Sequence, residues 1–154
     1  MARLEQMPEP MRSHIAKLKC DSFDTQPWVD GPPIYWQRVA IVSTAGLHTR
    51  DDRPFTFLPG DHYRIIPKDV QANDLVMSHV SANFDRSGFQ QDWNVVFPLD
   101  RLRELAEKRA ISGIANFHYS FMGASDPAQL ETSARRVADL MKKDFVNAVL
   151  LVPV

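Results

Sequence analysis

Three histidines, His48, His79 and His118, stand where strands are expected to end. An imidazole titrates near neutral pH, so it can take or give a proton or bind a metal. Each has neighbours suited to a small polar substrate. Thr44, Gly46 and Arg50 surround His48 in TAGLHTR, Ser78 precedes His79, and Ser120 and Gly123 follow His118 in HYSFMG. Taken singly, each histidine reads equally well as a hydrogen-bonded, partly buried side chain. Three at one sheet edge form a candidate proton-transfer set. Zinc does not fit the spacing, because no two histidines sit three to five residues apart on a helix and Cys20 is remote.

Other residues extend the candidate site. Arg50 and Arg64 have the forked geometry that clamps a carboxylate. Asp85, Asp92 and Asn94 lie in the long polar stretch SANFDRSGFQQDWNVVFP, where they either contact substrate or make local turn and cap bonds. Cys20 follows an expected helix C-terminus, which disfavours a thiolate, and reads as a small buried hydrophobe. TAGLHTR has one glycine where a dinucleotide loop needs three, and no G-x-S-x-G elbow occurs.

Positioning these groups requires strands. RVAIVS (38–43) is a continuous apolar run of the kind covered on both faces. YRIIP (63–67), DLVMSHV (74–80), a weaker NVVF (94–97), a strand near 114–117 and NAVLLVPV (147–154) follow. A helix is expected over 98–109, with Leu99, Leu102, Leu105 and Ala106 on one stripe. A second, over 127–143, starts at a Ser125 or Asp126 cap with Pro127 in its first turn, and carries Lys142 and Lys143 at its end. The αβαβ alternation implies a mainly parallel sheet with helices on both faces, a single, incomplete doubly wound domain. In such sheets ligands bind outside the carboxyl ends of the strands. Ahead of it, residues 1–37 are expected to form an amphipathic helix (Met11, Ile15, Leu18) and a Pro-rich strap pinned by Trp28 and Trp36.

The whole chain narrows the classes. Its 154 residues suffice for one real core, and 18 basic against 19 acidic side chains give no surplus for a nucleic-acid partner. No apolar run approaches the roughly 20 residues that cross a bilayer, and the first residues lack a signal-peptide core. The single cysteine forms no internal disulfide, so a reducing cytoplasm is the expected location.

The clusters RVAIVSTAGLHTRDDRPF, DHYRIIPKDV, DLVMSHVSANFDRSGFQQDWNVVFPLDRLREL, FHYSFMGASDP and NAVLLVPV, in that order, resemble the selenoprotein B family of the glycine, sarcosine and betaine reductase systems. The resemblance covers roughly residues 38–154. It implies an oxidoreductase that attacks a small amino-acid-like substrate and leaves a carboxymethyl group on selenium for a partner selenoprotein. It further implies a selenocysteine or cysteine immediately after Val154, with a second cysteine three residues on, so that the 154-residue chain is expected to be truncated before its nucleophile and inactive alone. No other cofactor and no metal are expected in this chain. The expected partners are the substrate, the missing carboxyl-terminal portion, other reductase subunits and a second copy in a homo-oligomer. A non-catalytic binding or assembly module with a strand-end pocket is the alternative, and a histidine-based metalloenzyme ranks behind it.

Overall fold

The computed structural model describes residue 5 and residues 7–17, 24–56, 60–81 and 85–154. Its contacts divide the chain into two units, Met1–Asp30 and Gly31–Val154, so the boundary falls inside the Pro-rich strap. In the first unit the expected long helix is the shorter α1, Glu9–Ala16. Pro8 and Pro10 fix where it starts, since proline is tolerated only around a first turn. Leu18, Cys20 and the side chains of Met11 and Ile15 lie outside the described residues.

The second unit is built on β1, Arg38–Ser43, whose residues are buried or half-buried throughout. β7, Ala148–Val152, runs parallel along one edge of β1 from Val39 to Ser43. Two shorter strands share the opposite edge: β5, Gly113–Ile114, and β6, Phe117–Phe121, both parallel to β1. β3, Tyr63–Pro67, closes that side antiparallel to β6. The result is a mixed α/β fold with a mostly parallel sheet.

Between β5 and β6 the register shifts by two residues, from Val39↔Ile114 to Val42↔Tyr119. Ala115 and Asn116 form this bulge, and the side chain of Asp144 holds it. Asp144 accepts from the Asn116 and Phe117 amides and from Asn116 Nδ2, and pairs with Arg38 at 2.7 Å. Burial alone would raise the Asp144 carboxyl; the Arg38 and amide hydrogen bonds outweigh it and keep it below the usual range.

Side-chain alternation along β1 feeds two apolar clusters. Val39 and Ile41 join Phe97 and, from α3 (Leu99–Glu107), Leu99 and Leu102. Val42 joins Tyr119, Phe121 and, from α4 (Pro127–Lys143), Leu130, Val137, Leu140 and Met141. α4 begins as its sequence dictates: the Asp126 carboxylate accepts from the Ala128 amide and Pro127 occupies the first turn.

Three expectations need correction. NVVF is no strand: Trp93–Val95 is a 3-10 turn capped by Asp92, which holds the apolar run in a helical geometry and buries Trp93, Val96 and Phe97 instead. The 74–80 strand is the short β4, Leu75–Met77, and it leaves the main sheet to pair antiparallel with β2, Leu47–Thr49. Nor does Trp36 pin the strap, since it is 64% exposed. At Trp36 it is the backbone that is held, its carbonyl accepting from Asn147 Nδ2.

Candidate functional site

Where β1 and β7 end together, the chain makes a tight knot. The Thr44 amide donates to the Val152 carbonyl, and the Val154 amide donates to Thr44 Oγ1 at 2.8 Å. Thr44 Oγ1 in turn donates to the Val154 carbonyl. The Thr44 carbonyl accepts from Gly123, just past β6. A Cβ on Gly123 would lie 2.7 Å from that carbonyl oxygen, so only glycine permits this approach. Two residues on, Gly46 has φ 65°, and a Cβ there would meet Met122 Cε at 2.8 Å and His79 Cα at 3.0 Å. The Gly46 carbonyl accepts from Ser78, which brings Ser78 and His79 beside it although β4 belongs to the smaller sheet.

His79 is buried, its Nδ1 accepting from the Ser81 amide and its carbonyl from Arg86. Nδ1 is therefore the acceptor and Nε2 carries the proton. Burial first, and the Arg86 charge second, lower its pKa, so the ring is neutral at physiological pH. In this state the ring is a hydrogen-bond donor through Nε2, since Nδ1 is taken by the Ser81 amide. Met122, a thioether absent from the sequence-derived set although its cluster was marked, accepts from the Val80 amide. Thr44, Gly46, Ser78, His79 and Gly123 thus come together at one strand edge.

The remaining residues lie elsewhere. His118 is fully buried in mid-strand, and its Nδ1 accepts from the Ile41 amide at 3.0 Å. The bulge leaves a gap in the β1 ladder, and the ring fills it as an acceptor. Burial pushes this imidazole down to about 4, with Arg103 and Arg38 lowering it further against Asp144. Its Nε2 has no hydrogen-bond partner among the described residues; the ring meets Phe97 edge-on at 5.9 Å. His48 lies buried on β2, with Nδ1 2.7 Å from the Thr49 carbonyl and no partner at Nε2 among the described residues. Ser120 Oγ accepts from the Leu47 amide. These three face the core rather than the strand edge.

Arg64 is buried, bound to Asp61 at 2.6 Å and to the carbonyls of Arg53, Tyr63 and Pro54. The Arg64 hydrogen bond outweighs burial and holds Asp61 far below the usual carboxylate range. Arg50 Nε donates to the Asn73 carbonyl. Asp85 accepts from the Ser87 amide at the start of α2 (Ser87–Gln91), and Asp92 and Asn94 bond to each other, with Asn94 also reaching Asp100. Sequence reasoning missed the Asp61–Arg64 and Arg38–Asp144 pairs, because the second spans 106 residues and no local signal marks it. Among the described residues no group of three histidine, cysteine or carboxylate side chains is placed to hold a metal. No helix among them is long and apolar enough to cross a membrane.

Residues 61–154 match the family model for glycine/sarcosine/betaine reductase selenoprotein B. The D-proline reductase subunit gamma of Acetoanaerobium sticklandii is 33% identical over 115 residues, which cover 73% of this chain and 47% of that protein. The chain thus spans about half the length of the curated relative it matches. No solved structure matches.

Proposed function

This chain belongs to the glycine/sarcosine/betaine reductase selenoprotein B family, and from that premise we propose that it is the portion of a reductase component that shapes the floor of a redox site. The substrate is a small amino-acid-like compound, of the class named for the family and for the D-proline relative. A selenol or thiol supplied directly after Val154 would bring the nucleophile for two-electron reductive chemistry. The observation that carries this reading is the knot at the end of β7, where Thr44 binds both the amide and the carbonyl of Val154.

The chain's own residues then divide the work. Thr44 and Gly123 fix where β7 ends, and Gly46 lets His79 approach the same edge. His79, with its proton on Nε2, would donate a hydrogen bond that favours the deprotonated thiol or selenol, and the departing amine takes its proton from water. A reduced nucleophile needs a reducing compartment, so this reading calls for the cytoplasm.

The transcript beyond codon 154 tests this directly. A UGA codon followed by an open frame with a cysteine three residues on is expected; UAA, UAG or a closed frame overturns the redox reading. In a read-through product with cysteine at the first added position, iodoacetamide should react with a thiol below the usual range near 8.5. His79→Ala should raise that value while leaving the melting temperature close to the parent's. The exposed apolar surface of β7 favours the second reading, an assembly module, if the frame is closed.

A further inference from the structure

Strand alternation sets Phe117 and Tyr119 on one face of β6, and Ile65 pairs with Tyr119 from β3. Beneath the last turn of α4 these three side chains and Leu140 border a cavity of about 320 Å3. Phe117 begins β6, whereas Gly123, which meets Thr44, follows its end, so the cavity lies at the opposite end of the sheet from the Thr44–Val154 knot. Its floor is apolar and bare, with Ile65 42% and Phe117 47% exposed. Small-molecule sites run upward from about 300 Å3, so the space suits a ligand with a single ring.

Two polar groups select the rest of that ligand. Tyr119 is 2% exposed, yet its hydroxyl has no hydrogen-bond partner among the described residues. In that set only histidine Nε2 atoms are both unpartnered and fully enclosed, so the hydroxyl reaches open space, and the cavity is where Tyr119 meets it. Burial, with Asp144 and Tyr63 pushing the same way, raises the phenol, which therefore keeps its proton and donates. The second group is Lys143, exposed and without an ion-pair partner among the described residues. Asp144, the lining carboxylate, is taken by Arg38 at 2.7 Å and by Asn116 and Phe117. Asn116 Oδ1 accepts from Lys68 Nζ at 2.9 Å, which adds a positive charge beside the cavity. The carbonyls of Leu140, Met141 and Lys142 accept from the amides of 144–146, so the end of α4 presents no bare negative pole. Arg38, Lys68 and Lys143 thus stand against one carboxylate, and the balance favours an anion.

We propose that this cavity is a second ligand site, for a small aromatic carboxylate that carries no amino group. The ring lies on Ile65, Phe117 and Leu140, and the carboxylate accepts from the Tyr119 hydroxyl and from Lys143. An α-amino acid fits less well, because Asp144 is already held and the ammonium would enter without a partner. The site is independent of the reductase reading, since it shares no residue with the Thr44–His79 edge.

Titrating the 154-residue chain with 3-phenylpropionate, followed by amide NMR shifts, tests this. The amides of 116–119 and 140–144 should shift and saturate together, with a Kd on the order of 1 mM, while Gly46 and Gly123 stay in place. Tyr119→Phe keeps the ring and removes the donor, and should weaken binding about tenfold. Lys143→Met should weaken it about threefold, whereas Lys142→Met, the same charge change outside the lining, should leave it unchanged. Phenylalanine should bind weaker than 3-phenylpropionate by about tenfold or more. Absence of saturation, equal shifts at Gly46 and Gly123, or parent-like binding by Tyr119→Phe overturns the proposal. So does equal weakening by the two lysine variants, which would mean attraction by net charge alone. Phenylalanine bound as tightly as the carboxylate also overturns it, and would assign the cavity to an amino acid. If the melting curve shows Tyr119→Phe unfolded, the two lysine variants and the phenylalanine comparison decide the matter. Either result leaves the reductase reading where it stands.

Discussion

At the scale of single residues, two glycines separate backbone strain from lack of space. Gly46 and Gly60 both have positive φ, but only Gly46 would press a Cβ against Met122 and His79, whereas no described residue lies within 4 Å at Gly60. Gly60→Ala should therefore cost about 1 kcal/mol in urea unfolding. Gly46→Ala should cost more, about 2–4 kcal/mol, because strain and overpacking add. Arg64 allows a similar separation of roles. Replacing it with methionine leaves Asp61 buried with Arg53 and Thr56 as its remaining partners, with an expected loss of about 2–3 kcal/mol. A substrate clamp would behave differently, since its removal would weaken substrate binding at unchanged stability. The candidate edge was legible in sequence to the extent that Thr44, Gly46, Ser78, His79 and Gly123 each follow an apolar run. His118 was not, because strand periodicity says a residue is inside without saying whether it serves a ligand or a neighbouring amide.

Among the elements, the bulge at Ala115–Asn116 depends on one carboxylate. Asp144→Ala removes the acceptor shared by Arg38, Asn116 and Phe117. The expected loss is about 2–3 kcal/mol, with faster amide exchange concentrated over 113–121. Asp126→Ala, which removes only the α4 cap, should cost about 1 kcal/mol and leave β6 exchange unchanged. β1, β3, β7, α3 and α4 were readable because their apolar patterns hold one period or run unbroken, and all but β1 carry Pro or Asp at a boundary. β2 was not, since three residues, LHT, form a strand only because β4 is brought beside them. NVVF misled for the same reason in reverse: a short apolar run has no periodicity of its own, and Asp92 decided its geometry.

For the molecule as a whole, acid should act in two stages. His118 has a native pKa pushed down to about 4 from an ordinary 6.5, and His79 shifts the same way. The unfolded chain therefore binds more protons between those values, so stability is full above about pH 6.5 and falls as pH drops toward 4. For His118 the loss is on the order of 3 kcal/mol. His118→Gln keeps an acceptor for the Ile41 amide and should flatten this part of the profile, as followed by urea midpoints across pH. Below about pH 4 the depressed carboxylates Asp61, Asp100 and Asp144 take over, and the stability they contribute is lost as they protonate.

The register of β1 also sets a timetable for synthesis. β1 is complete at Ser43, but β6 begins at Phe117 and β7 ends at Val152, so the central strand is made long before either neighbour. At a ribosome speed of about 5–20 residues per second, the roughly seventy intervening residues leave β1 unpaired for several seconds. RVAIVS is apolar and β-branched, the kind of segment that pairs with a like strand on another nascent chain. Slow decoding anywhere after Ser43 lengthens that interval. The yield of folded protein should therefore respond to codon choice between β1 and β6 more than to codon choice before β1.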